Sequence, residues 1–258
     1  MDIPPSGCDP SPPPPADSPL RTAEESLPAL SATPPLPIDW SQEIPDWPVG
    51  HQEKTAACVG WTLADGLLHA YFRRKNLLGV GERLSPRYLW LTSIINSHIS
   101  PKLPTPINPF AGTTIAGALE IASRFGCLKE DSSGNRWEGT SLPTGFQFPT
   151  PFVIPDARIK WLGLDHPLWR RWLTSQGPIA VRIALDANFV GANNVSHTLD
   201  DYVPFDGSGH AVLLVGHKSN KDFIIRNSWG TVWGDNGYAT ATPGYLKKAV
   251  TEAWGVRT

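Results

Sequence analysis

Little in this sequence points to a membrane, a metal or a secretory route. Cysteine is scarce, with Cys8, Cys58 and Cys127 the only three in 258 residues. An odd number at such wide spacing is no disulfide framework, and no CxxC pair suggests zinc. No apolar run approaches the length of a membrane span. The N-terminal "MDIPPSGCDPSPPPP" lacks the basic segment and apolar stretch of a secretory signal. Charge imbalance is lacking too: Lys and Arg number 22 against 24 Asp and Glu, a net −2. That gives no electrostatic case for nucleic acid or an anionic membrane surface. The expectation is a reducing compartment, either cytoplasmic residence or export without a cleaved signal peptide.

What is present is an ordinary core-forming composition, 40% hydrophobic and 18% charged, in a chain long enough for two lobes. Residues 1–36 form a separate arm dominated by proline, serine and alanine, with "SPPPPADSP" at its centre. Such a segment cannot bury enough apolar area to offset its ordering entropy, so it reads as disordered or polyproline II. The readings open for it are a tail or tether, a ligand for a proline-recognising partner, or a short strap over a site.

Residues 37–258 form the folded part. From Ala56 a helical pattern places Val59, Leu63, Leu67 and Ala70 on one face, with Arg73, Arg74 and Lys75 in the last turn. "LSPRYLWLTSIIN" signals a second helix, Ser85 as N-cap and Pro86 at its first position. "TTIAGALEIASRFG" is a third, stopped by Gly126. After a short helix in "PLWRRWLTSQG" the character changes to strands: "IAVRIAL", "HAVLLVGHK", "DFIIRNSW" and "GYATAT". The closing "PGYLKKAVTEAWGVRT" reads as a final helix. The class expected is α+β, a helical lobe over about 50–130 and a β-rich lobe over about 150–258, with a cleft between them.

One constellation carries chemistry. Cys58 lies at a helix start, where free N–H groups and the helix dipole favour thiolate over thiol. A nucleophile needs a base, and the base needs an orienting group. His210 opens "GHAVLLVGH" and Asn227 sits in "RNSWG", 17 residues on. A strand, turn and returning strand in that interval bring the two side chains alongside each other. His217 competes for the role but stands at the far end of its strand. Gln52 offers a side-chain amide that, with the Cys58 backbone N–H, would hold the oxyanion of a tetrahedral acyl intermediate.

These residues, in this order, resemble the papain-like cysteine peptidases from about Leu36 to Tyr238. The resemblance rests on Gln52 and Cys58, on "GHAVLLVG", on "QGPIAVRIALD", and above all on "FIIRNSWGTVWGDNGYA". It implies a papain-like two-lobe fold with a β-barrel-like second lobe. It also implies Cys58 as nucleophile, His210 as base and then acid, Asn227 as orienter, and Gln52 as oxyanion donor. Trp229 is implied as the indole shielding the Asn227–His210 bond at the cleft. The activity implied is hydrolysis of a protein or peptide substrate through a Cys58 thioacyl-enzyme, without metal or cofactor. Pairing with an imidazolium lowers a cysteine pKa to roughly 3–4. Two alternatives use the same residues: transamidation or deamidation with an amine acceptor or side-chain amide, and a catalytically weak peptide-binding module.

The sequence also departs from that family. "EKTAAC" replaces a glycine- and cysteine-rich approach to the nucleophile, and Val59 replaces the aromatic that follows it. The cysteines of secreted-type disulfides are missing. Where relatives offer a glycine pair to pair with substrate backbone, the best match is Gly112–Thr113 in "FAGTTIAGALE". The same "GTT" is equally a helix N-cap signal.

Overall fold

A computed structural model describes residues 7–21, 27, 35–97, 108–130 and 152–258. The arm does not hang free over residues 7–21. It enters as strand β1 (Cys8–Asp9) and ends in a 3₁₀ turn at Pro19–Arg21. Over this stretch the arm takes the extended form of the two that its composition allows. Short strand β2 (Ile38–Asp39) and helix α1 (Trp40–Glu43) open the folded part, with the Asp39 carboxylate capping α1 through Ser41 N–H.

The chain then forms one long helical rod: α2 (Cys58–Gly60), a π-helical stretch (Trp61–Leu68) and α3 (His69–Arg74). Sequence periodicity predicts one buried stripe here, yet every residue from Cys58 to Phe72 is buried. The rod is hydrophobic all round because it is central rather than peripheral. Helix α4 (Pro86–Ser97) covers one side, so close that a Cβ on Gly60 would collide with Pro86 O. Sheet residue Leu213 covers the opposite side at Gly66. Ser85 caps α4 as the sequence predicts, its Oγ accepting from Tyr88 N–H at 3.2 Å. Strand β3 (Thr113–Thr114) leads into α5 (Ile115–Arg124), whose N-cap is Thr114, and Gly126 ends it at φ +80°.

The second lobe begins with β4 (Ile159–Trp161), α6 (His166–Ser175), β5 (Ile179–Asp186) and α7 (Ala187–Gly191). Strands β6 (Thr198–Leu199), β7 (Pro204–His217), β8 (Phe223–Arg226) and β9 (Tyr238–Ala241) follow, then α8 (Pro243–Ala249) and β10 (Val250–Val256). The sheet order is β4-β10-β5-β7-β8-β9-β6, with β2 added to the end of β7. It stays open from β4 to β6 among the described residues rather than closing into a barrel. All pairings in this sheet are antiparallel except β6 with β9.

The last segment corrects the sequence reading. A helix was expected through the C-terminus, but it stops at Ala249 and "VTEAWGV" becomes β10, inserted between β4 and β5. Burial decides this, since Val250, Ala253, Trp254 and Val256 are all buried and no helix fits a gap one strand wide. The remainder is an α+β arrangement, a helical layer against a mixed sheet, as the sequence predicts. Residues 131–150, where the two lobes were expected to join, lie outside the described residues.

Candidate active site

Cys58 sits at the first position of α2 and is wholly buried. The N-cap residue Ala57 has no side chain able to claim the first-turn amides. The amides of Val59 and of Cys58 itself favour negative charge on the sulfur. Two further N–H groups reach it from elsewhere, those of Ala211 and Gly7. The first places the middle of β7, and so His210, beside the nucleophile.

His210 stands on β7 opposite Ile183 of β5, fully buried. Its Nε2–H donates to Asn227 Oδ1 at 2.8 Å. The return that joins them runs down β7, around Lys218–Asp222 and back along β8, with Leu213 in register with Arg226. This is the hairpin that the spacing of 17 predicts. Asn227 Oδ1 also accepts from Ser228 N–H at 2.8 Å, which fixes the amide orientation toward the ring. Nδ1 of His210 has no hydrogen-bond partner among the described residues, leaving it for the sulfur.

Trp229 lies tilted over the imidazole at 4.8 Å between ring centroids, with Phe189 at 5.8 Å from the same ring. At 2% exposure it packs against the imidazole and keeps water from the His210–Asn227 bond. The ring lies where a shield of that bond would lie. His217 is at the far end of β7, bonded through Nε2 to Thr174 Oγ1 at 3.0 Å, away from the sulfur.

Gln52 is buried, and it reaches the site because its stretch runs along the residues after Asn227. Its N–H donates to Ser228 O at 2.8 Å, His51 bridges Trp229, and Gly230 N–H donates to Gly50 O at 2.9 Å. Gln52 Oε1 accepts from Ser228 Oγ at 2.8 Å, while Nε2 donates to Thr55 O at 2.8 Å. Ser228, which the sequence reading passed over, thereby turns the amide so that its nitrogen and not its oxygen is available as donor. The "NSWG" run held that signal, since a hydroxyl directly after the orienting Asn is a local hydrogen-bonding group.

The arm crosses this site. Gly7 O accepts from Thr113 N–H at 2.9 Å, and β1 pairs parallel with β3, Cys8 opposite Thr113. Arg182 Nε donates to Cys8 O at 2.8 Å from the other lobe. Ser11 N–H donates to Glu252 Oε1 at 3.3 Å, and Ser11 Oγ accepts from Ala116 N–H at 3.2 Å. Farther on, Lys160 Nζ holds Pro19 O at 2.8 Å and the Arg21 guanidinium lies 4.3 Å over the Trp161 ring. Gly112 and Thr113 therefore meet the backbone of the chain's own arm, and Thr114 is at the same time the cap of α5. A Cβ on Gly112 would come 2.9 Å from Gly7 O, so only glycine lets the strand in.

Burial sets the protonation under this cover. It pushes the Cys58 thiol up and the His210 imidazole down to about 4, with the Asn227 bond opposing the latter. Under this cover burial favours the neutral form of each group. Low dielectric penalises both charges, and no solvent compensates.

Comparison with known proteins bears on both lobes unequally. Residues 165–252, which include His210 and Asn227 but neither Cys58 nor Gln52, match the model of the papain family of cysteine proteases. Cathepsin B-like CP2 of Giardia intestinalis is 37% identical over 82 residues, 30% of this chain and 26% of that protein. Cathepsin K of Mus musculus is 40% identical over 75 residues, 27% of this chain and 22% of that protein. The match thus spans about a quarter of the length of these curated relatives. Among solved structures, xylellain, a cysteine protease from Xylella fastidiosa, superposes with a TM-score of 0.68 at 19% identity, over 98% of this chain and 96% of that one. Digestive procathepsin L 3 of Tenebrio molitor larval midgut gives 0.61 at 19%, over 93% and 74%. At such identity the likeness concerns the fold, which is papain-like throughout.

Proposed function

This chain is papain-like, in fold over both lobes and in sequence over the β-rich one, and from that premise we propose that it is a cysteine peptidase. The observation that supports the reading best is the convergence of Cys58, His210, Asn227 and Gln52 from four separate segments, with the His210–Asn227 bond already made at 2.8 Å. The Cys58 sulfur attacks a peptide carbonyl, its proton going to His210 Nδ1. Gln52 Nε2 and the Cys58 amide receive the oxyanion. His210 then protonates the leaving amine and later takes a proton from water, which releases the acyl group from sulfur. Asn227 holds the ring in the tautomer that keeps Nδ1 toward the sulfur.

The arm acts as a strap over the same cleft, so turnover requires its displacement from Thr113 and Arg182. This puts residues 7–21 against the chain's own lobes, which favours the strap over a tether or a ligand for a proline-recognising domain. Substrate is a protein or peptide whose backbone takes the place of Gly7–Asp9. All three cysteines are free thiols, in keeping with a reducing compartment such as the cytoplasm.

The test is alkylation of Cys58 by an epoxide, followed by mass spectrometry, in the full chain and in a chain beginning near Leu36. Peptide hydrolysis is measured alongside, with and without added amine. Cleavage that needs Cys58 is the expected result. A folded, uncovered protein whose Cys58 reacts no faster than a free thiol would overturn the peptidase reading, and amide products in place of acids would redirect it to transamidation.

A further inference from the structure

Behind the site lies a buried charge cluster that the chemistry above does not use. Asp65, in the π-helical stretch, is 1% exposed at its side chain and faces two arginines. Its Oδ2 accepts from Arg226 Nη2 at 2.8 Å, and its Oδ1 from Arg83 Nη2 at 2.5 Å and Nε at 3.0 Å. Arg226 is itself 3% exposed. The same Nη2 donates to Pro48 O at 2.7 Å, and the guanidinium lies 4.6 Å over the Trp47 ring. Trp47 Nε1 returns to Asp65 O at 2.6 Å.

These contacts join three stretches of chain that the active site also joins. Pro48 begins the run that reaches Gln52 four residues later. Asp65 follows Cys58 by seven residues along the same helical rod. Arg226 is the residue before Asn227. We propose that Arg226, anchored on Asp65, is a positioning residue for catalysis, fixing the nucleophile-bearing helix and the oxyanion donor against the His210–Asn227 pair. The proposal rests on the peptidase reading for its kinetic consequence, though not for its structural one.

The energetics favour a role in geometry over one in stability. A buried ion pair of this kind is commonly no more stable than packed apolar side chains of equal volume. The second arginine, Arg83, also lies 4.0 Å from Glu130 Oε2, so the two guanidiniums face two carboxylates. The other group facing the cluster is His69, stacked flat on Trp47 at 5.5 Å, with neither ring nitrogen bonded among the described residues. Burial and the nearby Arg226, Arg73 and Arg83 outweigh Asp65 and lower it to about 4, so it stays neutral beside them. Tyr238 completes the surround, its hydroxyl bonding the Arg226 guanidinium from β9.

The asymmetry of the cluster supplies a clean test in the full chain. Arg226→Met cuts the tie to Pro48 and β8, but Asp65 keeps Arg83, so no carboxylate is orphaned and the fold persists. Peptide turnover should fall about a hundredfold in kcat, with KM changed less than about threefold. Arg226→Lys should restore most of it. Arg83→Met, which removes an equal charge from the same carboxylate without touching Pro48 or β8, should leave kcat near the parent value. A second readout needs no activity: NMR titration of the His210 imidazole. The Asn227 bond favours the protonated ring, so loosening it in Arg226→Met should move the titration to lower pH. An unmoved His210 titration, or equal kcat losses from Arg83→Met and Arg226→Met, overturns the proposal. A parent chain that cleaves no peptide removes the peptidase reading, while the titration still decides the positioning role.

Discussion

The two sides of the cleft are written into the sequence in different ways. On the sheet side, His210 lies on β7 and Asn227 directly follows β8, two strands joined by a five-residue turn, and the family match of residues 165–252 contains both. On the helical side, Cys58 and Gln52 fall outside that match, and the nearest departures from the family pattern, "EKTAAC" and Val59, surround them. A hairpin fixes its residues by local register, so contiguous sequence must be kept for the pair to meet. A buried rod needs only apolar volume along its length, which many sequences supply. The chemistry is therefore most readable where the structure is most local.

The comparison breaks hardest at the atoms themselves. Cys58→Ala and His210→Ala should each lower peptide turnover by at least about ten-thousandfold, because nucleophile and base act as a unit. Equal residual rates would show that both sides of the cleft serve one reaction, whereas a surviving rate in Cys58→Ala would remove the helical side from it. Asn227→Ala should cost less, on the order of a hundredfold, since His210 keeps its place on β7 and loses only its orienter. A full-length kcat series separates these.

The strap is the next contrast, a third region laid across the other two. A Cβ on Gly7 would collide with Ala56 O, so Gly7→Val should displace β1 while leaving both lobes intact. Epoxide alkylation of Cys58 should then rise about tenfold, equivalent to about 1.4 kcal/mol against the closed strap. An unchanged rate would mean that the arm does not limit access.

The smallest effect is on acid stability. His69 on the helical side and His210 on the sheet side are each lowered from 6.5 to about 4 by burial. The unfolded chain binds the extra protons first, so the stability these two contribute is whole above about pH 6.5 and is lost as the pH falls toward 4. Thermal unfolding measured across that window should show the midpoint dropping on acidification, and His69→Phe should flatten the drop by about half. An identical slope in the variant would assign the acid limb to the sheet side alone.

The sequence by itself determined the α+β class, the helices capped by Ser85 and Thr114, the His210–Asn227 hairpin and the nucleophile at a helix start. Each follows from signals a few residues apart: caps, periodicity, turn residues. It also carried Gln52, though only through the spacing to Cys58 and the family resemblance. Tertiary structure alone decided the rest. "VTEAWGV" is a strand because a slot between β4 and β5 remained to be filled, and no local propensity reports an empty slot. The arm is ordered because Thr113 on one lobe and Arg182 on the other, 69 residues apart in sequence, both hold its backbone. Asp65 meets Arg226 across 161 residues. The protonation of Cys58 and His210 was likewise not readable, because it depends on what covers them. Burial and long-range pairing are properties of the packed chain, and one-dimensional pattern carries them only where the partners are neighbours.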